Sequence, residues 1–500
     1  MSKPNKDRTT KPPGAKEYGS VKVSENGRMA YLPGAKAAVI MQDSSTILAP
    51  TDATPFDVTI KGQKNMPKVV PWGEDNDFPK ILTEKVALSP VMSANLFFNV
   101  SASFGEGVTP VVMIPVGKEK QVVPLFNAEI YLSELIDKAS PSAKVIYQTI
   151  LDDIKISIPK IDKFYEENDL DGYILESLTD LHWFFNIFPE AIFNKEGTEI
   201  VQIKNKEAVF SRYSEMNKAS GKIEYHYYYG DWGGKKPDET ENIAYSTPVL
   251  DFHSPVRELR KLIDDGKTKK QFNYIIPVNF STPGRNYYQK PYWYSLLESG
   301  WYDFAITIPE LKKNLVQNKA IINYVIELDQ DYFRDIFNID KITDEKEQTA
   351  RIKLEYANIN KFLTEKEQTG KSIVTYTKRG ADGKPYAKMT IKPVENNMNS
   401  GEYIEDSEEA SNIMCYAMLV HPSLVGASPG KNKNINGTEA RELFLIKQAI
   451  LKPIINRALR PFYVIKAVNK WSKYIHFIIP NIELTTLDKN KTGVQSTLEG

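Results

Sequence analysis

Val420-His421-Pro422-Ser423-Leu424-Val425-Gly426-Ala427-Ser428-Pro429-Gly430-Lys431-Asn432-Lys433 is where the chain changes character, and its reading decides the fold. Residues 402–419 ahead of it place Ile404, Met414, Cys415 and Met418 on the apolar side of a helix. Proline disfavours helical backbone in the residue before it, so this helix is expected to end at His421-Pro422. Residues 426–437 are rich in Gly, Asn and Lys, the composition of a polar loop. Asn436-Gly437-Thr438-Glu439 then caps a further helix, in which Pro453 and Pro461 force kinks or breaks before Trp471. Gly426, Gly430 and Lys431 have a superficial likeness to a phosphate-binding loop. Such a loop needs glycines five apart followed by Lys and a hydroxyl, because backbone N–H groups wrap the phosphates while the hydroxyl holds Mg²⁺. Here the spacing is one residue short, Asn432 stands for the hydroxyl, and a helix precedes it where a strand is required. A nucleotide site is excluded.

Upstream, Thr307-Ile308-Pro309-Glu310 matches a capping box, with proline tolerated in the first turn, and predicts a long helix over residues 306–337. Leu311, Leu315, Ile322, Ile326 and Phe333 repeat with period eleven, which keeps one apolar stripe on a straight helix for roughly 35 Å. Residues 338–400 are charged and then strand-like. Ser372-Ile373-Val374-Thr375-Tyr376 and Ala387-Lys388-Met389-Thr390-Ile391 flank a Gly-rich turn, as in a small hairpin-bearing insertion.

Towards the N-terminus, Trp72-Gly73-Glu74-Asp75-Asn76-Asp77-Phe78-Pro79 is a turn-rich lead into two helices, the second closed by Gly105-Glu106-Gly107. Residues 128–188 read as helix running into the aromatic group Trp183, Phe184, Phe185, Ile187 and Phe188. Ile200-Val201-Gln202-Ile203, Ala208-Val209-Phe210 and the run from Ile223 to Tyr229 read as strands of a β-rich subdomain. Residues 1–65 look like an extended arm with one or two strands, and residues 488–500 like an unstructured tail.

Several function classes fall away. Acidic and basic residues balance at 64 each, so no global charge marks a protein that coats nucleic acid, and any DNA-facing charge must be local. Cys415 is the single cysteine, which removes disulfide frameworks and thiolate metal clusters and points to synthesis in a reducing cytosol. Residues 1–16 lack the apolar segment of a secretory signal, and no apolar run is long enough to span a membrane. His182, His226, His253, His421 and His476 are scattered, and His182 and His226 lie among aromatics as core residues do. The acidic groups Glu74 with Asp75 and Asp77, Asp152 with Asp153, and Glu408 with Glu409 read first as solvated helix faces and turns. No catalytic residue, metal ligand or cofactor site is expected.

One local asymmetry stands out. From Lys431 to Lys473 there are ten basic residues (Lys431, Lys433, Arg441, Lys447, Lys452, Arg457, Arg460, Lys466, Lys470, Lys473) against Glu439 and Glu442, a net of +8. A solvated or internally paired helix face and a phosphate-contacting surface account for it equally well.

Val420-His421-Pro422-Ser423-Leu424-Val425-Gly426 resembles the V-P-P-x-L-L-G signature that closes a helix in the portal proteins of tailed bacteriophages and prophages, with His421 in place of the first proline. Tyr287-Tyr288-Gln289-Lys290-Pro291-Tyr292-Trp293-Tyr294-Ser295-Leu296-Leu297 and the segment from Trp72 to Pro79 are similar to that family as well, and the order of elements matches over residues 70–487. The resemblance implies an α+β portal-like fold with long stem helices, a β-rich wing and a small clip. The arm (1–65) would precede a wing (66–305), a stem helix (306–337), the clip (338–400), a second stem helix (401–425), a tunnel loop (426–437) and a C-terminal helix and strand of wing or crown (438–487). Ser428, Lys431, Lys433 and Asn434 would face DNA in the tunnel loop, and Leu311, Leu315, Ile322, Ile326 and Phe333 would form the stem-helix stripe. It further implies a dodecameric homo-oligomeric ring at one capsid vertex of the virion, made in the host cytoplasm, with double-stranded DNA in its channel. The implied partners are the terminase large subunit, the major capsid or scaffold protein and a head–tail adaptor. Two other readings fit the sequence: another structural virion protein such as a head–tail adaptor, and a metal-dependent nuclease using the acidic groups.

Overall fold

In a computed structural model the chain is described over residues 54–117, 119–234, 237–238, 243–318, 324–329, 331–364, 377–379, 385–387, 389–393, 402–425 and 437–482, together with the backbone of four short arm strands. Those strands, β1 (Lys16–Tyr18), β2 (Val21–Val23), β3 (Met29–Leu32) and β4 (Ala37–Ile40), form an antiparallel meander, more sheet than the composition of the arm suggests. The fold is α+β. Its described residues divide into two compact units, one built from those up to Ser295 and from Cys415 onward, the other from Leu296–Met414.

In the first unit α1 (Phe78–Leu88) and α2 (Pro90–Phe104) meet at Ser89, whose hydroxyl accepts the Met92 N–H at 3.4 Å while Pro90 occupies a first-turn position that has no N–H to lose. α2 stops at Gly105, whose φ of 54° is the left-handed conformation that glycine adopts most readily. The strands β5 (Thr109–Val116) and β6 (Glu119–Pro124) pair antiparallel and lead to α3 (Leu125–Lys138), α4 (Pro141–Glu167) and α5 (Leu170–Phe184). β7 (Asn186–Phe193) follows. It is buried on both faces, which explains why it is apolar except for Asn186 and Glu190, the latter paired with Lys206, and β8 (Ile200–Lys206) lies on one edge. The segment Ala208–Phe210, expected as strand, is a single 3-10 turn that reverses the chain into β9 (Ser211–Tyr213), which pairs with β10 (Tyr225–Tyr228) and through it with β11 (Tyr245–Pro248). After α6 (Pro255–Asp264), β12 (Asn273–Ile275) and β13 (Val278–Asn279) pair with the other edge of β7.

The second unit corrects two expectations. After α7 (Ser295–Glu298) the helix α8 begins at Trp301, not at a cap on Thr307, and Pro309 lies inside it; the Thr307 hydroxyl donates back to the Asp303 carbonyl at 2.7 Å. α8 also ends at Asn318, so the expected six-turn stripe is not one helix. Ile326 lies in β14 (Tyr324–Leu328) and Phe333 in α9 (Tyr332–Phe337). The cause is local composition: Tyr324-Val325-Ile326 is β-branched and aromatic, and it finds a strand partner in β17 (Met389–Pro393), with Ile326 opposite Ile391. Around that pair Ile326, Leu328, Phe333, Phe337 and Ile391 pack on Tyr332, Met389 and Ile359, the last from α10 (Glu345–Thr364), giving the unit its own core. A hairpin is present, but of β15 (Thr377–Arg379) with β16 (Pro385–Ala387): Met389–Ile391, expected as its second strand, lie in β17 and pair with β14 instead, and residues 372–376 lie outside the described ones. The chain leaves as α11 (Glu402–Ala417).

The C-terminal part of the first unit comprises α12 (Pro422–Val425), α13 (Gly437–Ala458), α14 (Arg460–Val468) and β18 (Ile475–Ile478), the last completing the sheet of β5 and β6. Pro453 is carried inside α13, whereas Pro461 begins α14 and so marks a real break. Phe462, Trp471 and Phe477 bring this end of the chain into the same core as Phe164 and Tyr173. No helix among the described residues is long and apolar enough to cross a membrane.

Candidate functional site

Ser428, Lys431, Lys433 and Asn434 lie outside the described residues; what is described is how both ends of their segment are held. α11 stops before the expected His421-Pro422. Leu419 takes left-handed backbone, with φ 55°, the Val420 N–H reaches the Cys415 carbonyl at 2.9 Å and the Leu419 N–H the Tyr416 carbonyl at 3.0 Å. Three side chains tie this stop down. From α2, one turn apart, Asn95 Nδ2 donates to Cys415 Sγ at 3.5 Å and Asn99 Nδ2 to the Met418 carbonyl at 3.1 Å. From α13, Lys447 Nζ donates to the Leu419 carbonyl at 2.8 Å. The element before the lysine-bearing segment and the element after it are therefore clamped to each other. His421 has its own part: its Nδ1 accepts the Ser423 N–H at 3.3 Å and its carbonyl the Leu424 N–H at 2.9 Å, opening α12. A proline at this position would supply no such side-chain acceptor.

Beside the clamp is a cleft of about 60 Å³, with Trp293, Met418 and Leu451 in its apolar lining and Asn99, His182 and Lys447 as its polar groups. Burial lowers the Lys447 ammonium to about 8. His182 is held neutral, pushed down to about 3 by burial first and by Lys447 second, and shares a 2.8 Å hydrogen bond with the Ser103 hydroxyl. Asn99 Oδ1 is buried without a protein partner. The polar groups beside the cleft are thus turned into the fold, Lys447 onto the Leu419 carbonyl and His182 onto the Ser103 hydroxyl, and the Ser103–His182 pair is itself buried.

Among the described residues the basic excess of the C-terminal part is spent on separate tasks. Lys447 is spent on the clamp, Lys466 Nζ donates to the Ile475 carbonyl at 2.7 Å and Arg460 to the Phe252 carbonyl at 2.5 Å. Lys452, Lys470 and Lys473 are exposed. Of the five stripe residues, Leu311 lies on α8 and is partly exposed, Ile326 and Phe333 pack in the second unit's core, Ile322 lies outside the described residues and only the backbone is described for Leu315. Leu311, Ile326 and Phe333, the three whose side chains are described, do not share one helix face. The acidic groups do not converge either: among the described residues no three His, Cys, Asp or Glu side chains are placed to hold a metal ion, and Asp153 accepts from Ser472 and Asp152 from Gln148.

Sequence reading missed one structural centre, the partner of the segment from Trp72 to Pro79. Arg212 is fully buried, with Nε on Asn76 Oδ1 and an Nη on the Asn76 carbonyl, both at 2.6 Å, and the other Nη on the carbonyls of Ser211 at 2.8 Å and Val209 at 3.0 Å. The rings of Trp72 and Trp232 lie 5.7 and 5.4 Å from its guanidinium carbon, and Tyr288 stacks on Trp72 at 4.2 Å. The Asn76 backbone is left-handed at φ 60° and Gly73, at φ 86°, has no room for a Cβ against Phe78, which explains the Gly and Asn of that motif. An arginine between Ser211 and Tyr213 carried no signal that it would be the internal partner.

No family model matches this chain, and no curated protein does. Among solved structures it is similar to a chain in the neck of an empty gene transfer agent particle computed with C6 symmetry, with 12% identity and a TM-score of 0.47 over 83% of this chain and 87% of that one. A chain in the virion of the native gene transfer agent particle gives 13% and 0.49 over 90% and 92%. A chain in the neck of the native particle computed with C12 symmetry gives 13% and 0.48 over 85% and 89%.

Proposed function

We propose that this chain is a portal protein: a ring-forming channel at one capsid vertex through which double-stranded DNA is packaged and ejected. The observation that carries the reading is the path of the chain after Ser295. It leaves the first unit, runs through α8, builds a small unit with a β-hairpin, and returns as α11 into a clamped stop, the lysine-bearing segment and then α13. Helix, insertion, helix, stop, loop, helix is the order that the portal resemblance implies. In this reading the first unit supplies wing and crown, α8 and α11 the stem, and residues 324–393 the clip that docks the terminase large subunit and later the head–tail adaptor. The stem helix is shorter than residues 306–337, because Ile326 and Phe333 belong to the core of the clip.

Charge supports a conduit rather than an enzyme. Lys431 and Lys433 in twelve copies would place about twenty-four positive charges around one level of the channel, where about 10 Å of duplex offers about six phosphates. An excess of lysines on flexible stems attracts DNA to no fixed register, and tight sequence-specific contacts would stall its passage. Replacing both lysines with Gln is expected to leave ring assembly intact and to lower the DNA packaged or retained per particle several-fold; unaltered packaging contradicts the assignment of this loop.

A further inference from the structure

The exposed lysines of the C-terminal part meet a second basic element that lies far away in sequence. α6 and α14 pack side by side and run the same way: Arg460 at the start of α14 donates to the Phe252 carbonyl just ahead of α6, and Arg260 Nη2, two turns on, to the Ala467 carbonyl at 3.1 Å. α6 turns Leu259 into the core, with Val256, Leu262 and Ile263 packed against it, which leaves Arg257, Arg260, Lys261 and Asp264 on its exposed side. Glu258 faces away, accepting the Asp251 N–H and pairing with Lys222 at 3.2 Å. On the α14 side Tyr463 is exposed, Lys470 stands just past the helix end and Lys473 leads into β18. No acidic residue occurs between Arg460 and Ile482. The exposed cations Arg257, Arg260, Lys261, Lys470 and Lys473 therefore stand against Asp264 alone, a net of +4.

Among the described residues none of these five cations forms an ion pair, whereas Lys160, Lys206, Lys222 and Lys267 of the same unit do. The neighbouring groups feel the same sign. His476 of β18 is held below its ordinary value by burial first and then by Lys466 and Lys120, and Arg460 by burial and then Arg457. We infer that the α6–α14 surface binds the phosphate backbone of a nucleic-acid duplex, at a place separate from the segment 426–437 and on a single copy of the chain. Two features select this partner. The aliphatic side chains of α6 and α14 all pack inward, so the surface lacks the apolar centre on which an acidic protein partner would rest. What it offers instead suits phosphate oxygens: the forked donors of Arg257 and Arg260, the compact charges of Lys261 and Lys470, and the Tyr463 ring, 40% exposed. α6 is ten residues and about 15 Å long, a length over which a duplex presents about nine phosphates, so every cation finds an acceptor without a set register.

The test uses the full chain carrying Lys431→Gln and Lys433→Gln, so that the proposed tunnel loop contributes no charge, and a fluorescent DNA duplex of about twenty base pairs read by anisotropy over a range of salt. This parent is expected to bind the duplex. Adding Arg257→Gln, Lys261→Gln and Lys470→Gln should weaken binding at least about tenfold and lower the slope of log affinity against log salt by about 2.7, the loss of three phosphate contacts. All three side chains are exposed, so circular dichroism and the melting temperature should match those of the parent. A variant that keeps the charges, Arg257→Lys with Lys261→Arg and Lys470→Arg, should bind within about twofold of the parent. Equal affinity and slope in the neutral triple variant would overturn the site, as would a parent that binds no duplex at all; both leave the portal reading standing. Polyglutamate that displaces the duplex at equal charge concentration would overturn it in favour of an acidic protein partner.

Discussion

Arg212 is held without a carboxylate: four backbone or amide oxygens and two indole rings surround a guanidinium that burial lowers to about 10, still protonated at neutral pH. Only a planar fork of donors reaches oxygens in these directions, so lysine is no substitute. Arg212→Lys should destabilise the first unit by about 3 kcal/mol, since several hydrogen bonds to a charged group are lost and their acceptors left buried. The shift of the denaturant midpoint measures it, and a change under about 0.5 kcal/mol would mean that the cage does not hold this region together. Three other fully buried groups set the response to acid. Burial holds His182 and His226 neutral at about 3 and keeps the Asp180 carboxyl protonated up to about 7. Between the ordinary Asp value of 3.8 and the ordinary His value of 6.5, the unfolded chain binds two imidazole protons that the native chain lacks, while native Asp180 holds one that the unfolded chain lacks. The unfolded state therefore binds one more proton, so these groups lower stability by about 1.4 kcal/mol for each unit that the pH falls in this window. Neither nitrogen of His226 has a hydrogen-bond partner in the fold. His226→Phe should consequently flatten that slope without loss of stability at neutral pH, which unfolding curves at pH 4, 5 and 6 would check; an unchanged slope would show that His226 titrates normally.

At the scale of elements, what could be read from the sequence followed the reach of each signal. Ser89-Pro90, Gly105 and Pro461 act on their immediate neighbours, and the helix boundaries fell where these residues put them. Val420-His421-Pro422 was read correctly as a stop, but the stop works four residues earlier, by the left-handed Leu419 and the donors of Asn99 and Lys447, which come from helices far away in sequence. The period-eleven stripe failed for a related reason. Leu311 and Leu315 belong to a helix, whereas Ile326 answers to Ile391, a partner 65 residues on that no local period can reveal. Ile391→Pro should remove a ladder donor and strand geometry from β17, and speed amide exchange in Tyr324–Leu328 at least about tenfold. Hydrogen exchange read by mass spectrometry would show it, and a continuous helix through residues 318–333 would leave those amides unaffected.

For the whole molecule, the sequence made the α+β class and the order of elements legible, because periodicity and turn chemistry repeat along 500 residues. It did not show that the chain divides at Ser295 and Cys415, since that boundary depends on which segments pack together. Nor did it show that basic residues close in sequence are spent on different structural tasks, as Lys447, Arg460 and Lys466 are. The division matters for the proposed role, because the second unit is a separate excursion of the chain with its own core. In the proposed ring the lysine-bearing segment gains its purpose only when repeated. Single-particle electron microscopy of the purified full-length chain tests this most directly: a twelve-fold ring with a stem and an open central channel wide enough for duplex DNA is the predicted result, and a population of monomers or a closed assembly without a channel would contradict it.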